Sequence, residues 1–111
     1  MPIEEITVDE LAEHLAMSNG TRGALIDVRE PHEYVAGHVA GAILIPLSEF
    51  GDRLGEIPDA QPLHIICRSG ARSMRAAEAL ASTGIAAVNV SGGTLGWIDS
   101  GRPLVVGPDR G

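Results

Sequence analysis

The sequence predicts one α/β domain in which helices cover both faces of a central, mostly parallel β-sheet. The chain has 111 residues, the length of one ordinary domain. Hydrophobic residues make up 44% of it and charged residues 21%, which is typical of a globular rather than a disordered protein. Four short, almost entirely apolar segments alternate with segments of helical pattern. Strands of this kind are buried on both faces, as in a parallel sheet between two layers of helices.

The first half of the chain is predicted to hold two strands and three helices. Thr7 and Glu10 form a capping box, after which apolar residues recur at helical spacing. Pro46 closes the second apolar segment. The predicted elements are a helix over residues 7–17, a strand over 24–28, a short helix over 31–36, a strand over 42–45 and a short helix over 48–57.

The second half is predicted to hold two more strands and two more helices. The strand over 62–66 leads directly to Cys67, and the clearest helix follows over 72–83, where Gly84 stops it. The remaining elements are a strand over 86–90, a brief helix between Gly92-Gly93 and Gly101, and a Pro- and Gly-rich segment over 102–111 that we expect on the surface. We place the domain core at about residues 5–106 and a surface tail at 107–111.

The charge is distributed unevenly along the chain. The net charge is −7, which argues against nucleic acid or an anionic membrane as a partner. Residues 1–60 carry twelve acidic residues and three arginines, whereas residues 61–111 carry three acidic residues and five arginines. The sequence begins without a charged-then-apolar leader, and no apolar segment approaches the length of a membrane span. We therefore expect a cytoplasmic protein, and we expect it to be a monomer.

Cys67 is the only cysteine, so neither an internal disulfide nor a cysteine-rich zinc site is possible. It stands between a buried strand and a predicted helix start, and small residues follow it at positions 69–71. Such a loop can point its backbone N–H groups inward, and Arg68 and Arg72 add positive charge. These surroundings favour a thiolate, which could attack an anionic substrate. From the residues alone, a buried and inert cysteine remains the alternative.

Five motifs in the same order and spacing connect the chain to a known family. They are Ile26–Tyr34, Gly37–Ala42, Ile45-Pro46, Cys67–Ser73, and the ending Gly92-Gly93, Trp97, Gly101 and Pro103. Over about residues 5–106 the chain resembles the single-domain rhodanese type of sulfurtransferase. The resemblance implies one rhodanese-like domain in which Cys67 carries a persulfide. It also implies a substrate-binding loop formed by Arg68, Ser69, Gly70, Ala71, Arg72 and Ser73.

The length of this loop bears on the substrate. Four residues separate Cys67 from Arg72. Sulfurtransferase members of the family resemble the chain in this count, whereas the related dual-specificity phosphatases and arsenate reductases have one residue more. The shorter loop favours sulfane sulfur over phosphate or arsenate.

The leading hypothesis is therefore an enzyme that moves sulfane sulfur through a Cys67 persulfide with ping-pong kinetics. Thiosulfate or a related persulfide would be the donor, and cyanide or a thiol the acceptor. The alternatives are a relay module that a sulfur-carrier or thioredoxin-like protein loads and unloads, and a sensor of reactive sulfur. We expect no cofactor. We also expect no metal, because no two histidines have the spacing of metal ligands.

Other polar residues receive structural interpretations. Asp27 and Arg29 are expected to support the site as an ion pair that orders nearby loops, with anion binding by Arg29 as the alternative. Arg68 is expected to project toward the pocket mouth, and Arg72 to brace the loop or a neighbouring acid. For the rest, we expect a backbone hydrogen bond at His38, core positions for His64 and Trp97, and solvent-facing side chains at His14 and His32.

Overall fold

The computed structural model describes residues 3–18 and 23–111. These residues form a five-stranded sheet whose neighbouring strands all run parallel, in the order β1-β5-β4-β2-β3. The predicted α/β architecture with a parallel sheet is confirmed. The strands are β1 (Glu4–Ile6), β2 (Ala24–Asp27), β3 (Ile43–Leu44), β4 (Leu63–Ile66) and β5 (Val88–Val90).

Strand β1 was not predicted. It has three residues, of which only Ile6 is buried, and it begins with two exposed glutamates. The strand therefore lacks the apolar signature that marks the other four. It pairs only with β5 and forms an edge of the sheet, where charged residues are common because one side of an edge strand is unpaired.

The helices lie close to their predicted positions. They are α1 (Val8–Ser18), α2 (Pro31–Ala36), a 3-10 helix (Leu47–Glu56), α3 (Ala71–Ser82) and α4 (Gly93–Asp99). The predicted helix over 48–57 is thus a 3-10 helix, with a break in helical geometry at Arg53. Gly51 and Gly55 lie within it, and glycine disfavours a regular α-helix. None of the described helices is long and apolar enough to cross a membrane.

Two hydrophobic clusters lie on opposite faces of the sheet, because adjacent strand residues contribute to different clusters. Leu25 belongs to one and Ile26 to the other. One cluster joins the sheet to α3 and the 3-10 helix, and the other joins it to α1, α2 and α4. The prediction that helices cover both faces is therefore confirmed.

Backbone hydrogen bonds attach residues 102–111, expected on the surface, to the domain. His38 and Val105 exchange N–H to C=O bonds of 2.9 and 2.8 Å, and the Gly41 N–H donates to the Arg110 carbonyl at 2.7 Å. Val106 and residues 108–111 are exposed.

Candidate active site

Three strands bring the candidate residues to one edge of the sheet. Cys67 directly follows β4, whose last residue, Ile66, is paired with Asp27 at the end of β2. Strand β5 lies on the other side of β4 and ends three residues before Gly93, where α4 begins. The carboxyl ends of parallel strands are where α/β proteins bind their ligands.

The sulfur of Cys67 is buried within a ring of hydrogen-bond donors. The Gly70 N–H donates to Sγ at 3.0 Å, and the Ser73 Oγ lies 3.3 Å from Sγ. Gly70 has a φ of 113°, a conformation that favours glycine, and helix α3 begins at the next residue. Burial raises the pKa of the Cys67 thiol. The Ser73 hydroxyl and the N–H groups of Ser73, Gly70 and Ser69 together lower this pKa by more than burial raises it, so the net change is downward. The site therefore favours the thiolate.

Arg72 forms an ion pair with a neighbouring acid, Glu33. Its guanidinium donates to both carboxylate oxygens of Glu33, at 2.7 and 2.9 Å, and this contact is the main reason that the pKa of Glu33 falls to about 2. Arg72 thus contacts a neighbouring acid, one of the two arrangements predicted for it, and its role in the loop stays a prediction. The sequence predicts that the flanking arginines favour the thiolate. The charge of Arg72 does so, but the largest favourable contributions come from Ser73 and the backbone N–H groups.

Asp27 and Arg29 form a buried ion pair, as predicted. Arg29 Nε and Nη2 donate to the Asp27 carboxylate at distances of 2.8–3.1 Å, and Nη2 also donates to the Gly37 carbonyl at 2.8 Å. The pair connects the end of β2 to the residue after α2. Binding of an anion by Arg29 stays a prediction.

The first residues of α4 hold the backbone of the loop, a contact that the sequence did not predict. The Thr94 N–H and hydroxyl both donate to the Cys67 carbonyl, at 2.8 and 3.0 Å, and the Leu95 N–H donates to the Arg68 carbonyl at 3.0 Å. Gly93 permits this approach, because a Cβ there would lie 2.5 Å from the Cys67 carbonyl oxygen. The available signal was the pair of glycines before the helix.

Asn89 is a second residue that the sequence analysis missed. It lies in the middle of β5 and is buried, and its side chain reaches Gly70, Ser73 and Glu5. The available signal was an amide within an otherwise apolar strand, since a buried amide needs hydrogen-bond partners.

The remaining aromatic and imidazole groups have the structural positions predicted for them. His38 is buried, stacks on Tyr34 and donates from Nδ1 to the Tyr34 carbonyl at 2.8 Å. His64 is buried in β4, and burial together with His14 lowers its pKa to about 4. Trp97 is buried, whereas His14 and His32 are exposed. Within residues 3–18 and 23–111, no cluster of His, Cys, Asp and Glu side chains could hold a metal ion.

A cavity of about 240 Å³ lies beside the loop. Its charged lining residues are Arg68, which is exposed, Arg29 and Glu33, and the side chains of Leu95, Ile98 and Leu104 make much of its wall apolar. The predicted position of Arg68 near a pocket is thus supported by the geometry.

The sequence pattern of one protein family covers most of the chain. The family described as Rhodanese-like domain matches residues 7–100. The chain belongs to the rhodanese-like domain family. It is 35% identical over 104 residues to a protein of Allochromatium vinosum named Sulfurtransferase, and the match covers 93% of this chain and 95% of that protein.

The chain matches only part of some relatives. The chain is 36% identical over 104 residues to a Mycobacterium tuberculosis protein named Probable adenylyltransferase/sulfurtransferase MoeZ, and the match covers 91% of this chain but 26% of MoeZ. It is 42% identical over 77 residues to Bacillus subtilis YqhL, covering 68% of this chain and 61% of that protein. The chain therefore spans only part of these two relatives.

A solved structure has the same architecture. The crystal structure of a rhodanese-like domain protein from Staphylococcus aureus matches with a TM-score of 0.82 and 36% identity, covering 94% of this chain and 98% of that one. The family and the relatives named as sulfurtransferases support sulfur transfer in general, without naming a donor or an acceptor.

Proposed function

We propose that the protein transfers sulfane sulfur from thiosulfate or a related persulfide to a thiol or cyanide, with Cys67 as the nucleophile. The observation that carries the proposal is the convergence of the Gly70 N–H and the Ser73 hydroxyl on the Cys67 sulfur, 3.0 and 3.3 Å away. Donors aimed at a sulfur atom stabilise negative charge on it.

In the first half-reaction the Cys67 thiolate attacks the outer sulfur of thiosulfate. A new S–S bond forms, the S–S bond of thiosulfate breaks, and sulfite leaves with the bonding electron pair. The product is a Cys67 persulfide whose charge lies on the outer sulfur, and we propose that N–H groups of the loop stabilise this charge. Arg68, at the adjacent cavity, would bind the sulfonate of the incoming donor.

In the second half-reaction an external nucleophile takes the outer sulfur. Cyanide becomes thiocyanate, or a thiolate becomes a persulfide, and Cys67 leaves as a thiolate. Because Cys67 is the only cysteine of the chain, a second internal thiol cannot accept the sulfur. The two separate steps should give ping-pong kinetics.

Intact-mass measurement tests this function directly. We expect thiosulfate to add the mass of one sulfur atom to the native protein, and cyanide to remove it with release of an equal amount of thiocyanate. The same protein should not hydrolyse an aryl phosphate at a useful rate. An unchanged mass after thiosulfate and after a small persulfide donor would contradict the proposal.

A relay role is the second candidate, and the cavity beside the loop favours it. Leu95 and Ile98 expose 39% and 48% of their surface next to Arg68, which makes an apolar wall with a positive charge at one end. This chemistry fits an acceptor protein that presents an acidic and an apolar side chain beside its own thiol. The match to MoeZ covers 91% of this chain but only 26% of MoeZ, so most of this domain also occurs within a longer protein. Transfer that is much faster to such a protein than to small thiols, and that weakens with salt, would favour the relay role.

Arg68→Ala should weaken substrate binding, whereas Arg72→Ala should lower stability. Loss of Arg68 should raise KM for thiosulfate about tenfold with little change in kcat, because a charge that binds the sulfonate equally before and during reaction is lost. Loss of Arg72 should lower Tm by about 4 °C, because the partly buried Glu33 carboxylate loses its partner. Steady-state kinetics and thermal melts measure the two effects.

The stability effect should depend on pH. The folded pKa of Glu33, about 2, lies below its ordinary value of 4.5, so the ion pair stabilises the fold fully above pH 4.5. Its contribution disappears as the pH falls toward 2, and the Tm difference between the native protein and Arg72→Ala should shrink in step. Arg75→Ala, an exposed position on the same helix, is the control and should change neither KM nor Tm. Equal effects of the Arg68 and Arg72 substitutions on binding and stability would contradict these roles.

A further inference from the structure

Asn89 occupies an unusual place for an amide, within the central part of a parallel sheet. It is paired in register with Glu5 of β1 on one side and with Ile65 of β4 on the other, and only 1% of its surface is exposed. Its side chain makes three hydrogen bonds. They run to the Glu5 carboxylate at 2.8 Å, to the Gly70 carbonyl at 3.2 Å and to the Ser73 hydroxyl at 2.5 Å.

These partners fix the orientation of the Asn89 amide. The Glu5 carboxylate and the Gly70 carbonyl are acceptors, so both must face the NH₂ group of Asn89. The opposite orientation would place the amide oxygen against two other oxygens. The Asn89 Oδ1 must therefore face Ser73, where it can only accept a hydrogen bond.

Ser73 consequently has one proton and three neighbouring acceptors. The Asn89 Oδ1 is 2.5 Å from its Oγ, the Gly70 carbonyl 3.2 Å and the Cys67 Sγ 3.3 Å. The Gly70 carbonyl already accepts from the Met74 N–H and from Asn89 Nδ2, which occupies both of its lone pairs. The effective competitors for the proton are the Asn89 amide oxygen and the Cys67 sulfur.

We propose that Asn89 is a positioning residue that competes with the Cys67 sulfur for the Ser73 proton, so that Ser73 serves the sulfur only when the sulfur is charged. When Cys67 is a thiol, its S–H can donate to Ser73 Oγ while Ser73 donates to Asn89. When Cys67 is a thiolate, the Ser73 hydroxyl turns toward Sγ. No covalent bond to hydrogen breaks at Ser73.

The inference deepens the proposed function and rests on Cys67 being the reactive sulfur. In a persulfide the charge lies on the outer sulfur and Sγ is neutral, so the Ser73 proton returns to Asn89. When an acceptor removes the outer sulfur, Sγ leaves as a thiolate and Ser73 turns back to it. Asn89 thus limits the excess stabilisation of the free thiolate, which would otherwise weaken it as a nucleophile.

A double-mutant cycle tests the competition. Asn89→Leu retains the shape of the side chain but removes the acceptor, so it should free the Ser73 proton for the sulfur. The rate of alkylation by iodoacetamide, plotted against pH, has a midpoint that should then fall by about 0.5 pH units. Ser73→Ala should raise the midpoint. In the Ser73→Ala background, Asn89→Leu should have no further effect, because the residue that carries its influence is absent.

A merely structural role for Asn89 predicts the opposite sign. If the amide only held the loop in place, Asn89→Leu would misplace the Gly70 N–H and raise the midpoint in both backgrounds. That result would overturn the inference. Ser82→Ala, on the same helix but bonded to the Ala79 carbonyl, is the control and should leave the midpoint unchanged.

A second variant keeps the test decisive if Asn89→Leu does not fold. Asn89→Val also removes the acceptor with a side chain that suits a strand, so the midpoint should fall in the native background and stay unchanged in the Ser73→Ala background. A midpoint that does not fall, or that falls equally in the two backgrounds, would overturn the inference. The Asn89→Leu cycle substitutes none of the charged side chains around the loop, and the hydrogen bond from Asn89 to Glu5 is lost equally in both backgrounds; these side chains are Glu5, Asp27, Arg29, Glu33, Arg68 and Arg72.

The alkylation midpoint separates this inference from the proposed function. It reports the state of the Cys67 sulfur and does not require sulfur transfer. If the native protein takes up no sulfur but the coupling between Asn89 and Ser73 is present, the proposed function fails and the positioning role stands. If sulfur transfer occurs and the coupling is absent, the reverse holds.

Discussion

Replacing Cys67 with serine should abolish sulfur uptake and reduce thiosulfate–cyanide turnover about a thousandfold or more. Serine oxygen cannot form the S–S bond on which the proposed cycle depends. The serine hydroxyl would also stay protonated. The hydrogen-bond donors of the loop lower the pKa of a thiol, but they are too weak to ionise a serine hydroxyl. Intact mass after thiosulfate and thiocyanate release after cyanide measure the two losses.

The fold should survive this substitution. The serine hydroxyl can accept the hydrogen bond that the Gly70 N–H now gives to Sγ, so the melting temperature should change by only a few degrees. Cys67→Ala, which lacks that acceptor, should show the same loss of turnover. Turnover retained in either variant would mean that another group carries the sulfur, and the proposed mechanism would be wrong.

The region around Cys67 could be predicted because its signals are local. The apolar strand, the small residues after it and the helix of residues 71–82 follow each other within about twenty positions. Their order alone places the cysteine at the carboxyl end of a strand and at the start of a helix. Four of the five strands were predicted for the same reason, since each is an apolar run bounded by residues that favour turns.

Contacts between distant segments could not be predicted in this way. Glu33 is 39 residues from Arg72, and Glu5 is 84 residues from Asn89. Nothing in the sequence near Arg72 indicates that its guanidinium forms an ion pair with Glu33. The sequence analysis therefore missed the Ser73 hydroxyl as the largest favourable contribution to the thiolate, and it assigned no role to Asn89 in β5.

The substrate class should depend on the length of the loop, and one inserted glycine tests this. Helix α3 cannot move to absorb an extra residue after Gly70, because Ala76, Ala77 and Leu80 are packed in the core and Arg72 is bonded to Glu33. The insertion must therefore widen the loop itself. The Gly70 N–H and Ser73, which now meet at the sulfur, should no longer converge on one point.

We expect this insertion to slow persulfide formation about a hundredfold, which corresponds to the loss of one well-placed donor in a preorganised site. Hydrolysis of an aryl phosphate should rise, because a phosphoryl group presents several oxygens and needs a wider ring of donors. Both activities are measured on the native and the lengthened proteins. A glycine inserted after Gly84, in the exposed turn beyond α3, is the matched control and should leave both unchanged. If the native protein hydrolyses the phosphate ester faster than it transfers sulfur, loop length does not select the substrate and a phosphatase function replaces the one proposed.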